Sequence, residues 1–84
     1  MTRIEWSRKA LKQAAQIYRQ QFPVIRKAVE GLLSWPTCQN VKALVGREGY
    51  RLRVGRYRVL FTVHEDEIRV IRIEEVKKRD ERTY

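Results

Sequence analysis

Three observations along the 84 residues predict an α+β fold. Apolar residues recur at three- and four-residue spacing between Leu11 and Leu33, they alternate with polar ones from Tyr50 onward, and Gly and Pro breakers separate the two regimes. Helices grouped ahead of an antiparallel meander imply the order β-α-α-β-β-β. That is a helical hairpin packed on one face of a mostly antiparallel four-stranded sheet, in a single small domain over residues 1–84.

The first strand is "RIEW", Arg3 to Trp6, which alternates, and Ser7 follows where a helix N-cap accepts a backbone N–H. Leu11, Ala14, Ala15, Tyr18 and Phe22 then form one helical stripe, with Arg8, Lys9, Lys12, Gln16, Arg19 and Gln20 mostly opposite. Pro23 is unsuited to a helix interior but fits the first turn of a second helix, in which Ile25, Val29, Leu32 and Leu33 continue the apolar spacing. "SWPTCQN" and "VGREG" read as loop.

From Tyr50 the period becomes two. Tyr50, Leu52 and Val54 alternate with Arg51 and Arg53, and Tyr57, Val59, Phe61 and Val63 alternate with Arg58, Leu60, Thr62 and His64. Gly55-Arg56 suits a type II′ turn, "HEDE" forms the next turn, and Ile68 to Val76 is the last strand before the tail "KKRDERTY".

Nineteen Lys and Arg against ten Asp and Glu give a net charge of +9, a field that attracts nucleic acid or an acidic protein partner. A basic surface that serves only solubility is the plainer alternative. The single Cys38 has no His or Cys at zinc-ligand spacing and reads as a small apolar residue in a reduced compartment. "MTRIEWSRKA" lacks a signal-length apolar run and no segment is long enough to span a membrane, so a cytoplasmic protein without membrane contact is expected.

The hairpin turn fixes what the arginines do. With Gly55-Arg56 at the tip, Val54 faces Tyr57, Leu52 faces Val59 and Tyr50 faces Phe61, three apolar pairs on one side. The same register sets Arg53 opposite Arg58, with Arg51 on their face. Like charges directly opposite are destabilising by roughly 0.2–1 kcal/mol. Either an internal carboxylate, for which Glu74 and Glu75 are the candidates, or a bound anion must offset this. Three convergent guanidiniums also make a phosphate clamp. His64 has the one side chain whose ordinary pKa suits acid–base work, but it lies about 20 Å along the strand from Arg58 and reads as a histidine of the far turn.

At these residues the chain resembles the RelE/ParE superfamily of type II toxin-antitoxin toxins, and in particular its RelE branch of ribosome-dependent messenger RNA endonucleases. The resemblance runs through "LVGREGYRLRVGRYRVLF", "DEIRVIRI" and the tail of form K-R-D-E-x-T-Y, in that order. It implies a toxin that enters the ribosomal A site and cleaves messenger RNA by attack of a ribose 2′-hydroxyl on the adjacent phosphorus, with no metal and no cofactor. It also implies a cognate antitoxin, whose acidic segment would cover the basic face.

The site residues it implies are Arg51 and Arg53 on the strand after the loop, Arg58 on the next strand, and Arg79 and Tyr84 in the tail. Arg51 and Arg53 stand where the best-known member has lysines, and a guanidinium does not readily accept a proton, so the general base is left unassigned. Lys78 is an alternate for Arg79, since the spacing to the tyrosine varies in the family. Two other readings stay open: the ParE-like branch, which inhibits DNA gyrase on the same fold, and a non-catalytic RNA-binding module.

Overall fold

The computed structural model describes residues 1–17 and 19–78. Tyr18, assigned above to the first helix, and the tail residues Arg79 and Tyr84 lie outside them. In chain order the elements are β1 (Thr2–Trp6), α1 (Arg8–Ala15), α2 (Phe22–Glu30) with a 3-10 turn over Gly31–Ser34, β2 (Val41–Ala43), β3 (Tyr50–Val54), β4 (Tyr57–Glu65) and β5 (Arg69–Lys78). The strands form one sheet in the order β1-β5-β4-β3-β2, with β1 parallel to β5 and the other neighbours antiparallel. The α+β class and the helical hairpin agree with the sequence reading.

The sheet has five strands rather than four. Asn40 adopts a left-handed φ of 61° that redirects the chain, and Val41, Lys42 and Ala43 then pair with Leu52, Arg51 and Tyr50. Three residues are too few to display a period, so β2 is silent in the sequence. The Arg53 amide extends this ladder by donating to the Asn40 carbonyl at 2.9 Å.

Ser7 has two tasks. Its hydroxyl caps α1 by accepting from the Ala10 amide at 3.0 Å, as the sequence predicts. Its amide donates to Ile73 O and its hydroxyl to Glu74 O, both at 2.9 Å, continuing the β1–β5 pairing beyond Trp6. The Gln13 side chain then accepts from the Val76 amide at 2.6 Å. Helix α1 thus replaces a strand along this part of the edge of β5.

Such close approach requires small residues. Ala10 and Ala14 are the buried positions of α1, whereas Leu11 and Ala15, placed in the predicted stripe, are exposed. Phe22 opens α2 instead of closing α1 and packs obliquely on Trp6, with ring centroids 6.3 Å apart. Helix α2 follows the reading more closely. Pro23 lies in its first turn, and Ile25, Val29 and Leu32 are fully buried, although Leu33 is exposed.

These residues pack on Leu52, Val59, Phe61, Ile71, Ile73 and Val76 from the inner face of the sheet. Trp35, Tyr50 and Phe61 close one end of the core through ring contacts of 4.6–5.6 Å. Cys38 is half-buried, and its Sγ lies 3.7 Å from Gly31 O. Burial raises its thiol pKa, which keeps it protonated, consistent with the apolar role read from the sequence. No helix of the described residues is long and apolar enough to cross a membrane.

The hairpin has the predicted register, with Val54 opposite Tyr57, Leu52 opposite Val59 and Tyr50 opposite Phe61. Gly55 takes a φ of +56°, as the first central residue of a II′ turn must. The next turn lies later than "HEDE": β4 continues through Glu65, so His64 is a strand residue. A β-bulge between Leu60 and Phe61 leaves Glu74 as an extra residue on β5, because Leu60 pairs with Glu75 and Phe61 with Ile73. Ile71, Ile73 and Val76 can therefore all point inward, while Glu74 and Glu75 both reach groups on the outer face.

Candidate functional site

The helices cover one face of the sheet, and a cluster of basic residues lies on the other. Directly paired residues of neighbouring strands share a face, so the register lays out the outer surface in rows. One row is Arg53, Arg58 and Lys77, crossing β3, β4 and β5. The adjacent row is Lys42, Arg51, Leu60 and Glu75, crossing β2 to β5. Arg53 and Arg58 stand directly opposite each other, as the hairpin register requires, and Lys77 adds a third cation beside them.

Asn40, Val41, Lys42, Arg51, Arg53 and Arg58 line one cleft of about 390 Å³ at the β2–β3–β4 end of this face. The structure therefore brings three of the five sequence-predicted site residues together. The other two, Arg79 and Tyr84, fall outside the described residues. Arg53 and Arg58 are exposed and Arg51 is half-buried.

The two carboxylates proposed as internal neutralisers are engaged elsewhere. Glu74 Oε1 accepts from Arg72 at 3.3 Å and its Oε2 from the Thr62 hydroxyl at 2.9 Å. Glu75, with only 12% of its side chain exposed, accepts Lys9 and Lys77 on one oxygen, each at 3.3 Å, and lies 3.9 Å from Arg47 on the other. Among the described residues no acid pairs with Arg51, Arg53 or Arg58. The described residues thus leave the repulsion between Arg53 and Arg58 uncompensated, which is the condition under which an anion binds favourably.

Glu75 ties three segments together: Lys9 from α1, Arg47 from the β2–β3 loop and Lys77 from β5. Burial pushes its carboxyl pKa up, but hydrogen bonds and charge from Lys9 and Lys77 outweigh burial and hold it below the usual carboxylate range. A carboxyl with a lowered folded pKa contributes stability above its unfolded pKa, and that stability is lost as pH falls through the folded value. Glu75→Gln is expected to lower stability at neutral pH by about 1–2 kcal/mol, since the three partners are solvent-exposed. Thermal melts at descending acid pH should show the gap between variant and wild type closing.

His64 is exposed on β4, with its Nε2 2.9 Å from Thr62 Oγ1. The Thr62 proton is given to Glu74, so the imidazole is the donor in this contact. The ring belongs to a His64–Thr62–Glu74–Arg72 chain of hydrogen bonds, separate from the residues that line the arginine cleft.

Sequence reasoning missed Asn40, Lys42 and Lys77. Extending the alternation of β5 past Val76 would have found Lys77, which lies on the face opposite the buried Val76. Lys42 carries no comparable signal, because its strand is revealed only by pairing with β3.

Comparison with known proteins agrees with this architecture. No curated protein sequence matches the chain. Among solved structures, the RelE–RelB complex of the archaeon Pyrococcus horikoshii OT3 contains a chain similar at a TM-score of 0.77, with 23% identity over 95% of this chain and 97% of the other. The isolated RelE toxin of E. coli gives a TM-score of 0.77 at 20% identity, covering 95% and 86% of the two chains. A chain of the intact E. coli RelBE toxin–antitoxin complex gives 0.71 at 25% identity, covering 94% and 96%. Residues 4–82 match the family described as the ParE toxin of the type II toxin-antitoxin system parDE. With nearly its whole length inside that match, the chain belongs to this toxin family, within the RelE/ParE superfamily.

Proposed function

We propose that this toxin cleaves messenger RNA on the ribosome, and that the outer-face cleft holds the phosphate at which cleavage occurs. The observation that carries this reading is the convergence of Arg51, Arg53 and Arg58 on one cleft, with no described carboxylate to neutralise them. In the reaction the 2′-hydroxyl oxygen bonds to the adjacent phosphorus while the bond to the 5′-oxygen breaks. The ends left are a 2′,3′-cyclic phosphate and a free 5′-hydroxyl. Negative charge grows on the non-bridging oxygens of the phosphorane, where guanidiniums held in place before reaction stabilise it. Arg58, in the middle of the cation row, takes that role, and Arg51 and Arg53 hold the flanking backbone. Arg79 and Tyr84 complete the site as the resemblance implies, one adding charge, the other stacking on a base or polarising the 2′-hydroxyl.

A cognate antitoxin is part of the proposal. Two of the solved structures to which this chain is similar are complexes of RelE with RelB, which supports a partner of the same kind here. An acidic segment laid over Arg51, Arg53 and Arg58 would relieve their repulsion and exclude RNA at the same time.

The match to the ParE description favours a second reading, inhibition of DNA gyrase. Purified toxin incubated with programmed ribosomes and, separately, with gyrase and relaxed plasmid distinguishes the two. The expected result is message cut to cyclic-phosphate ends with supercoiling unaffected. Intact message together with blocked supercoiling would replace the cleavage reading by the gyrase one.

A further inference from the structure

We propose that Lys42 is the general acid of the cleavage, giving its proton to the leaving 5′-oxygen. The inference rests on the cleavage reading above and names a group that this reading leaves open.

The cleft is lined by Asn40, Val41, Lys42, Arg51, Arg53 and Arg58. A carboxamide and a valine do not ionise, and a guanidinium does not give up its proton in a protein. Among the described residues that line the cleft, the ammonium of Lys42 is therefore the one group able to transfer a proton. Its position suits the task. Lys42 pairs directly with Arg51 across β2 and β3, so the two side chains leave the sheet side by side on the arginine face. Asn40 and its left-handed turn anchor this strand: the Asn40 carbonyl receives the Arg53 amide, tying the start of β2 to the strand that carries two of the arginines. Lys42 is exposed and forms no ion pair with a described residue, so its proton is not committed to any described carboxylate.

The step balances as follows. The O2′–H bond breaks and its proton passes to solvent water, while the O2′–P bond forms. The P–O5′ bond then breaks, its electron pair stays on O5′, and a proton from the Lys42 ammonium neutralises the alkoxide. The amine regains a proton from solvent.

A lysine on a short edge strand also discourages edge-to-edge pairing, and that role would be met by any cation. Lys42→Arg separates the two roles, because it keeps the charge on an exposed position and removes the transferable proton. Two messages are bound to ribosomes, one natural and one with sulfur replacing the bridging 5′-oxygen at the position the wild type cuts. A thiolate leaves without protonation. Lys42→Arg should cut the natural message about 10²-fold more slowly than wild type, yet cut the sulfur message at the wild-type rate. Equal rates of variant and wild type on the natural message, or equal slowing on both messages, would overturn the assignment to Lys42. Failure of the wild type to cut the natural message would instead overturn the cleavage reading and this inference with it.

Discussion

Arg58→Ala is expected to slow message cleavage by about 10²–10³-fold, the loss typical of removing one preorganised donor from a developing oxyanion. The same change should leave stability unaltered or raise it by a few tenths of a kcal/mol, because Arg58 stands between Arg53 and Lys77 and its removal relieves like-charge repulsion. Opposite movements of activity and stability distinguish a functional charge from a structural one, for which both would fall together. Single-turnover cleavage on programmed ribosomes and a thermal melt give the two readings. Arg58→Lys should recover only part of the rate, since an ammonium keeps the charge but loses the two-pronged geometry of the guanidinium.

The largest effect on folding is expected at Phe61. Its ring is 1% exposed and lies against Trp35 and Tyr50, with centroids 5.6 Å from each. It also sits on β4, the strand that carries Arg58 and joins both halves of the sheet. Phe61→Ala removes buried area and leaves a cavity, at a cost of about 3–5 kcal/mol. Small domains have roughly 5–15 kcal/mol in total, so a large fraction of this one is at stake. Denaturant titration followed by circular dichroism should show a markedly lower midpoint for the variant.

The parts of the fold that were legible in the sequence are those in which many residues repeat a single rule. The hairpin over Tyr50–Val63 has a turn glycine and three apolar pairs that agree on one register, and that register also revealed the confrontation of Arg53 with Arg58. Helix α2 was legible because Pro23 marks its start and Ile25, Val29 and Leu32 keep helical spacing.

What escaped depended on contacts distant in the chain. Helix α1 presents alanines and Gln13 to the edge of β5, so closeness of approach, not apolar area, selects its inner face, and Leu11 misleads. Strand β2 exists because β3 offers it an edge, and Lys42 entered the cleft with it. The bulge at Leu60 and Phe61 puts Glu74 and Glu75 on the same side, where strict alternation would have separated them. Neither could then be judged a partner for the arginines until Arg72, Lys9 and Lys77 were seen to occupy them.

The central claim is that the arginines of the outer face, which no described carboxylate neutralises, act on RNA. Mapping messenger RNA ends in cells after brief induction of wild type and of Arg58→Ala, both without antitoxin, tests it most directly. New 5′-hydroxyl ends are expected within translated messages for the wild type, with their near absence for the variant at equal protein level. Growth arrest by both proteins with no new ends in either would contradict it.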